Sequence, residues 1–467
     1  MTAAEVQAMA TQLEEARAKT AALEQAVAQQ KTDLEGLRAH LTTQAAEERA
    51  LREKSDATIT ARVDETDRRL EETPPVRTKS TGVALSGFVH VDMALRQSSE
   101  DELNGSTGDP LNEDRFSIRR ARLRATIDDQ FVSGALEIDG NTTKGATARL
   151  IGAEVSLKLP PPAGADVPIV LGTLGLFKIP FGFEVLESDR DRLFLERSTF
   201  VRALFPGEYD LGARIAGGWR FLRYAIAAQN GEPIGERAFP TRDPNAAKDI
   251  TGRLGFQASI VEGIGLVLGV SGVKGTGFHK GTPATKTTFT WQDRNEDGRF
   301  QTGEIVLVPG VSSTSSQNFS RHALGIDARL LLNLPRLGQT AVYGELVLAN
   351  NLDRGLLPAD PLAGAGRDLR ELGYYVALTQ ELGGHVSVGV RYDLYNPDRD
   401  SSVTEQARPV PEQLTYKTVA LTAALRGRAG RLIIEYDVNR NHQGRDLAGL
   451  PTNLKDNVFA VRGETKF

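Results

Sequence analysis

Residues 114–128 read DRFSIRRARLRATID, and within this stretch apolar and polar side chains alternate. In an extended strand, one face carries Ala121, Leu123, Ala125 and Ile127, and the other carries Arg120, Arg122, Arg124, Thr126 and Asp128. Three successive arginines on one face cannot meet lipid, because each costs about 2–4 kcal/mol near the bilayer midplane. The stretch therefore predicts a membrane-spanning β-strand with one lipid-facing side and one side on a wet lumen.

The same period of two continues from Val83 to the C terminus, in segments separated by glycines and polar residues. In the fourth segment, for example, Ile151, Ala153 and Val155 share the apolar face. Sixteen candidate strands begin near Val83, Asp114, Phe131, Ala148, Pro168, Tyr209, Trp219, Asp249, Gly263, Arg321, Gly338, Arg370, His385, Thr415, Gly430 and Lys455. An even number of strands is expected of a bacterial single-chain barrel. We predict an all-β transmembrane barrel of 16 antiparallel strands over residues 83–467.

The connections between these segments alternate in length. Tight turns are predicted at Asp129–Gln130, Gly218, Val261–Glu262, Gly383–Gly384 and Arg428–Ala429, with somewhat longer links at 160–167 and 334–337. Long polar connections lie between them, the longest over 275–320. Short turns at one end and long loops at the other are typical of outer-membrane barrels, whereas a soluble β-protein, the alternative, would not show so regular an alternation.

The chain ends in NVFAVRGETKF, residues 457–467, which has the pattern of a final barrel strand. One face carries Phe459, Val461 and Phe467, and the other carries Arg462, Glu464 and Lys466. A terminal aromatic residue on the lipid face resembles the signal by which outer-membrane barrels are recognised for assembly. This ending supports an outer-membrane location in a diderm bacterium.

The first 73 residues follow a different period and predict an α-helical coiled coil. Val6, Leu13, Val27, Leu34 and Leu41 fall at a positions, and Met9, Leu23 and Leu37 fall at d positions. Residues 74–82, which include Pro74 and Pro75, are expected to form a linker. A lone helix is the alternative, but so thin an apolar stripe would stabilise it poorly. A coil before an outer-membrane barrel would lie in the periplasm.

Composition excludes several other classes of protein. The 467 residues include no cysteine, which removes disulfides, thiolate metal sites and cysteine nucleophiles. Residues 1–76 carry the whole net charge of −5, so the remainder is balanced and gives no case for nucleic-acid binding. The sequence contains neither a Ser-His-Asp spacing nor a phosphate-cradling glycine loop ahead of a helix, so no motif indicates an enzyme. The N terminus lacks the pattern of a secretory signal, so we expect the signal to have been removed.

Residues 293–304, DRNEDGRFQTGE, fit the pattern of an EF-hand-type calcium loop. The expected ligands are the side chains of Asp293, Asn295, Asp297 and Glu304, the carbonyl of Arg299, and Gln301 through water. No amphipathic helices flank the motif, so it looks like a solitary structural calcium site in an external loop. The alternative is an acidic turn that binds no ion.

Two stretches resemble the phosphate-selective porin O and P family: 114–140, DRFSIRRARLRATIDDQFVSGALEIDG, and 174–217, LGLFKIPFGFEVLESDRDRLFLERSTFVRALFPGEYDLGARIAG. The resemblance implies a homotrimeric porin whose third external loop, 178–208, folds into the lumen as a constriction. It also implies that anions are guided by wall and loop cations, which correspond here to Arg120, Arg122, Arg124, Lys178, Arg190, Arg192, Arg197 and Arg202.

Charge counting leaves the selectivity of this constriction open. Residues 178–214 hold six basic and seven acidic residues, so ion pairs within the loop would compete with anion binding for the same arginines. The expected function is passive diffusion of small solutes, including phosphate-like anions. The alternative function is an envelope spacer, in which the coil tethers the outer membrane to the cell wall or to a periplasmic protein.

Overall fold

The computed structural model describes residues 76–77, 82–99, 101, 103, 111–143, 145–159, 167–235, 243–261, 263–292, 298–334, 337–363, 366–405, 408–411, 414–442, 444–445 and 451–467. The chain divides into two compact units, residues 1–64 and 65–467, and all described residues belong to the second. The predicted coiled coil over 1–73 lies outside the described residues, as does most of the 74–82 linker. Among the described helices, none has the length and apolar character needed to cross a membrane.

Sixteen antiparallel strands form the barrel, as predicted. They are β1 Val83–Arg96, β2 Arg115–Asp128, β3 Val132–Asn141, β4 Thr147–Lys158, β5 Leu171–Lys178, β6 Tyr209–Trp219, β7 Leu222–Gln229, β8 Asp249–Val261, β9 Ile264–His279, β10 Gln317–Leu334, β11 Gly338–Asn350, β12 Arg370–Leu382, β13 Val386–Asn396, β14 Tyr416–Arg426, β15 Gly430–Arg440 and β16 Val458–Lys466. Every predicted start falls within four residues of the observed one.

Each strand pairs with the next along the chain, and the last pairs with the first. The closing pair of β16 with β1 runs from Phe88↔Lys466 to Arg96↔Val458. Closure satisfies the backbone groups of both edge strands, which an open sheet in lipid would leave without hydrogen bonds.

The remaining elements are short. They are the strands Val76–Arg77, Thr288–Trp291, Ile305–Val308, Ser402–Glu405, Arg408–Pro411, Gly444–Arg445 and Pro451–Thr452, the helix α1 Thr199–Leu204 and the 3₁₀ helix Thr302–Glu304. Val76–Arg77, inside the predicted linker, pairs with Leu85 and Ala84 at the start of β1. The other short strands form hairpins in the long connections.

The alternation of side chains matches the predicted division between lipid and lumen. On β2, Leu123 is 46% exposed on the outer face, whereas its neighbour Arg122 is only 9% exposed on the inner face. On β16, Phe459 and Phe467 face outward, while Arg462 is buried inside. Exposed aromatic side chains mark both ends of the outer wall, as they do in membrane barrels. Phe116, Tyr392, Tyr436 and Phe459 lie towards the long loops, and Phe131, Trp219, Phe221 and Phe467 lie towards the short turns.

One turn and one strand segment differ from the predictions. The turn between β6 and β7 lies at Arg220 and Phe221, with Arg220 at φ +53°, and not at Gly218 as predicted, because β6 continues to Trp219. On β4, alternation places Ile151 on the lipid face, but the residue is buried. A bulge opposite Glu137 leaves Ile151 unpaired and changes its direction.

Candidate functional site

Residues 179–208, between β5 and β6, fold into the barrel, and we call them the constriction loop. Its apolar side chains Phe181, Phe194, Phe200, Leu204 and Phe205 are fully buried. They pack in one cluster with inward-facing residues of the wall, which include Val273, Ala323, Val347, Tyr375 and Ala420. The apolar content of the loop therefore belongs to a core inside the lumen, which explains why a long connection is so rich in phenylalanine.

Carboxylates on the wall hold the backbone of the constriction loop. Glu345 of β11 accepts hydrogen bonds from the amides of Phe183 at 2.9 Å and Glu184 at 2.6 Å. Asp393 of β13 accepts one from the Thr199 amide at 3.0 Å. Glu435 of β15 accepts one from the Leu195 amide at 3.0 Å. Three separate strands thus satisfy loop amides that would otherwise be buried without partners.

Arginines on the wall bind the carbonyl oxygens of the same loop. Arg253 of β8 donates to Gly182 O at 2.9 Å, and Arg391 of β13 donates to Glu196 O at 2.9 Å. Arg431 of β15 donates to Arg192 O at 2.7 Å, and Arg462 of β16 donates to Leu195 O at 2.9 Å. The loop is therefore fastened to both sides of the barrel.

Four of the predicted anion-binding arginines converge on one carboxylate. Asp189, only 2% exposed, receives Arg120 Nε at 3.2 Å and Arg122 Nη2 at 2.6 Å. Its other oxygen pairs with Arg197 Nη1 at 3.1 Å and with Arg192. Arg197 also pairs with Glu208. These four guanidiniums hold the constriction loop in place. They are therefore ion-paired, as the excess of acidic residues in the loop had suggested, and not free to bind anions.

Glu196 is a second carboxylate on which several arginines converge. Arg119 Nε lies 2.7 Å from Glu196 Oε1, Arg120 Nη2 lies 3.3 Å from Oε2, and Arg462 Nη2 lies 3.4 Å from Oε1. Burial alone would raise the pKa of Glu196, but these guanidiniums outweigh it and hold the pKa well below its ordinary value. Arg119 reaches Glu196 because a bulge on β2 leaves it unpaired beside Arg120. Strict alternation could not have predicted that contact.

The other predicted cations differ in how free they are. Lys178 Nζ donates to the carbonyls of Leu186 at 3.1 Å and Glu187 at 2.7 Å. Arg190 Nε lies 3.6 Å from Asp191 Oδ1. Arg202 is exposed and donates to Thr199 Oγ1 at 3.3 Å, with no carboxylate within 4.0 Å among the described residues.

Arg124 is the most open of the predicted wall arginines. Its side chain is 47% exposed, and its guanidinium lies 3.6 Å from Glu137 and 3.9 Å from Glu154. Nearly half of the Arg124 side chain is therefore open to water inside the barrel.

Four further arginines face the lumen but were not predicted as site residues: Arg214, Arg223, Arg253 and Arg329. Together with Arg124, we call them the arginine arc. Arg214 lies 3.3 Å from Glu154, and Arg253 pairs with Asp327. Arg223 donates to the carbonyls of Arg220 and Leu222. The signal that identifies these residues is their position on the inward face of β6, β7, β8 and β10, which alternation within each strand would have revealed.

Arg329 differs from its neighbours because aromatic rings hold it. Its guanidinium lies 5.2 Å from the centroid of the Phe183 ring and 5.9 Å from that of Tyr343. Its Nε is buried without a hydrogen-bond partner, and no carboxylate lies within 4.0 Å among the described residues. Phe183 belongs to the constriction loop, so Arg329 places a positive charge without a close counter-charge beside the narrowing.

The predicted calcium loop is described only in part. Asp293, Asn295 and Asp297 lie outside the described residues. Gly298 has φ +68°, as the sharp turn of such a loop requires, and Gln301 is extended, with φ −125° and ψ 144°. Glu304 is buried and accepts a hydrogen bond from Trp291 Nε1 at 2.9 Å. The described residues hold no cluster of three or more metal-binding side chains.

No protein-family model matches this chain, and no curated protein sequence matches it. Among solved structures, the outer membrane channel DcaP of Acinetobacter baumannii is 10% identical and covers 84% of this chain and 100% of its own, with a TM-score of 0.52. An anion-selective porin from Comamonas acidovorans is 13% identical over 82% of this chain and 99% of its own, with a TM-score of 0.48. The high-pH structure of Pseudomonas putida OprB is 12% identical over 83% and 94%, with a TM-score of 0.47. The described barrel is therefore similar in fold to an outer-membrane channel.

Proposed function

We propose that this chain is an outer-membrane porin, a passive diffusion channel for small solutes with a preference for anions. The observation that carries the proposal is a closed barrel whose outer wall is apolar, whose inner wall is charged, and whose lumen is narrowed by a loop fastened to wall side chains of several strands. An apolar exterior needs lipid around it, and a charged interior needs water.

The preference for anions rests on which lumen charges remain without a close counter-charge. Arg120, Arg122, Arg192 and Arg197 are held by carboxylates, so they act on the position of the loop. Of the arginine arc, Arg223 and Arg329 lack a carboxylate within 4.0 Å among the described residues. Because rings of cationic side chains favour anions in pores, we expect these two arginines to set selectivity together with Arg202 of the constriction loop, which also has no carboxylate within 4.0 Å among the described residues.

The test is a reversal-potential measurement on purified protein in a planar bilayer with a potassium chloride gradient. We expect discrete channel steps and a potential whose sign corresponds to chloride as the more permeant ion. A cation preference would reject the anion-selective part, and the absence of channel steps from inserted protein would reject the porin itself.

Arg329→Gln tests one of the arginines that we expect to set selectivity. The substitution removes one lumen charge without breaking an ion pair, so the ratio of chloride to potassium permeability is expected to fall severalfold while the barrel remains stable. Arg399→Gln, an exposed residue in the loop after β13, removes the same charge outside the lumen and serves as the control. Equal ratios in Arg329→Gln and the parent would assign the selectivity to other residues.

Phosphate as a solute and a homotrimeric state are further parts of this proposal, and the sequence resemblance supports both. Added phosphate is expected to reduce chloride conductance if the constriction binds it, whereas sulfate at equal charge distinguishes a specific site from simple screening. Native mass spectrometry in detergent is expected to give three copies per particle, and a monomer would contradict the trimer.

A further inference from the structure

The turn at residues 183–187 of the constriction loop exposes apolar surface inside the lumen. Phe183 O accepts hydrogen bonds from the amides of Leu186 at 3.1 Å and Glu187 at 3.0 Å, so the turn is helical. Residues three and four apart in a helical turn lie on the same side of it. Leu186 is 38% exposed and Phe183 is half-buried, whereas Phe181 beside them is fully buried. Apolar surface left open to lumen water is available to the apolar part of a solute, since covering it is favourable.

Arg329 faces this turn with a positive charge that has no hydrogen-bond partner. Its guanidinium lies 5.2 Å from the centroid of the Phe183 ring and makes no hydrogen bond to any described residue. The Nε atom is buried, but the two Nη atoms are open to the lumen. The neighbouring Arg253 differs, because it pairs with Asp327 and donates to Gly182 O at 2.9 Å. Arg329 can therefore offer its outer N–H donors to a carboxylate.

Glu187 carries the opposite charge on the same turn. Its side chain is 19% exposed, and neither carboxylate oxygen accepts a hydrogen bond from a described residue. Arg192 Nε lies 3.7 Å from Glu187 Oε2, too far for a hydrogen bond, and Arg192 already pairs with Asp189. Burial raises the pKa of the Glu187 carboxyl, with Arg192 opposing that effect. A further cation beside Glu187 would therefore stabilise its charged form.

Glu187 and Arg329 are close to each other but are not an ion pair. They act on each other electrostatically, yet no nitrogen of Arg329 lies within 4.0 Å of a Glu187 oxygen. A simple anion bound to Arg329 would be repelled by Glu187, and a simple cation bound to Glu187 would be repelled by Arg329. A ligand that carries both charges satisfies the two side chains at once.

We propose that this part of the constriction binds α-amino acids that have apolar side chains, in their zwitterionic form. The ligand carboxylate accepts hydrogen bonds from Arg329, and the ligand ammonium group donates to Glu187. The apolar side chain of the ligand covers Leu186 and Phe183. The inference rests on the proposed channel function, because a solute reaches the turn only through the lumen.

The test compares leucine with three analogues that each lack one of its groups. Isocaproate lacks the ammonium group, isoamylamine lacks the carboxylate, and glycine lacks the side chain. Binding to the full-length protein in detergent is measured by calorimetric titration, and interruption of the chloride current is measured in a planar bilayer. Leucine is expected to bind about tenfold more tightly than isocaproate or isoamylamine, because each of these loses one charge-assisted contact. It is expected to bind severalfold more tightly than glycine.

Three substitutions assign the contacts. Glu187→Gln is expected to bind leucine and isocaproate about equally, and Arg329→Gln is expected to bind leucine and isoamylamine about equally. Leu186→Asn should reduce the advantage of leucine over glycine. Matched controls lie in the long loops: Glu113→Gln, before β2, and Leu357→Asn, after β11, change side chains that are 54% and 44% exposed and should bind leucine as the parent does.

Several results would overturn the proposal. Equal binding of leucine and isocaproate by the parent would do so, as would an unchanged preference for leucine in Glu187→Gln. Loss of leucine binding in either control variant would place the site outside the 183–187 turn. A protein that conducts but does not bind leucine rejects this site alone. A protein that binds leucine with the expected preference but never conducts rejects the porin proposal and keeps the site.

Discussion

Asp189 is the residue on which the constriction loop depends. It is a single buried carboxylate that faces Arg120 and Arg122 from the wall and Arg192 and Arg197 from the loop. Removing one partner of a buried ion pair leaves the others charged and desolvated, which typically costs about 3–5 kcal/mol. The arginines that were predicted to attract anions therefore have a structural task first.

Asp189→Asn is expected to destabilise the protein by about 3–5 kcal/mol, since four guanidiniums lose their shared counter-charge. The loop should leave the wall, so single-channel conductance should rise as well. Denaturant unfolding in detergent and bilayer recordings measure the two effects. Asp400→Asn, which breaks the exposed pair with Arg370, is the control and should cost no more than about 1 kcal/mol. Similar losses in both variants would contradict the central role of Asp189.

The buried carboxyl of Asp191, two residues after Asp189, is expected to make the stability of the folded protein depend on pH. Burial raises the pKa of its carboxyl to about 6. The folded state therefore holds this proton more tightly than the unfolded state, and the stability due to the neutral form is lost as pH rises from about 4 to about 6. Asp191→Asn does not ionise, so it should be more stable than the parent by about 1–3 kcal/mol at pH 8 and nearly equal at pH 4.

The measurement is denaturant unfolding of the two proteins across pH 4–8 in the same detergent. A stability difference that does not change with pH would show that Asp191 ionises in the folded state as it does in the unfolded chain. A larger advantage of the variant at pH 4 would reverse the predicted sign.

Within single strands, bulges decide which side chains reach the lumen. The bulge on β2 turns both Arg119 and Arg120 towards Glu196, and the bulge on β4 turns Ile151 away from lipid. One extra residue reverses the face of its neighbours, so alternation alone was insufficient at these two positions. In the remaining part of β2, from Arg120 to Asp128, the predicted faces are those observed.

The strands Thr288–Trp291 and Ile305–Val308 form a hairpin on either side of the candidate calcium loop, residues 293–304. We propose that this loop binds one calcium ion. Calorimetric titration is expected to show one site with millimolar or tighter affinity, as for extracellular calcium loops. Glu304→Gln removes the ligand expected to supply two oxygens and should abolish the heat. Glu381→Gln is the matched control, because Glu381 lies at the short-turn end of β12 and its side chain is 39% exposed.

A parent protein that gives no heat at millimolar calcium would reject the site. Glu304 accepts a hydrogen bond from Trp291 Nε1, so binding should also change the fluorescence of that tryptophan. Unaltered fluorescence together with calorimetric heat would assign the ion to another place on the protein.

In the molecule as a whole, the C terminus closes the barrel. The Gly87 amide donates to Phe467 O at 2.9 Å, and the Phe467 amide donates to Gly87 O at 3.0 Å. A side chain at position 87 would collide with the Phe467 ring, since a Cβ there would lie 2.4 Å from it. Strand β16 thus closes the barrel by its hydrogen bonds to β1.

Deletion of residues 1–73 is therefore expected to leave conductance and selectivity unchanged, because the closed barrel contains all the described lumen residues. The deletion also tests the alternative role of the N-terminal segment as a spacer. If that segment tethers the outer membrane, the distance between the two membranes of the cell should change, as measured by electron tomography. A flexible glycine-serine segment of equal length is the control. Loss of conductance on deletion would contradict an autonomous barrel.

The sixteen strands and, away from the bulges, their outward and inward faces could be predicted from the chain alone, because lipid penalises each misplaced polar side chain separately and so imposes a local period. The inward-folding loop was expected from the family resemblance. The sequence could not show which arginine pairs with which carboxylate, because that depends on the tertiary structure. Arg120 and Glu196 are 76 residues apart, and any nearby carboxylate would have satisfied that arginine. Arg329, with rings for partners, could be identified as lacking a close counter-charge only when the wall and the constriction loop had been brought together, since Coulombic pairing depends on distance in space and not along the chain.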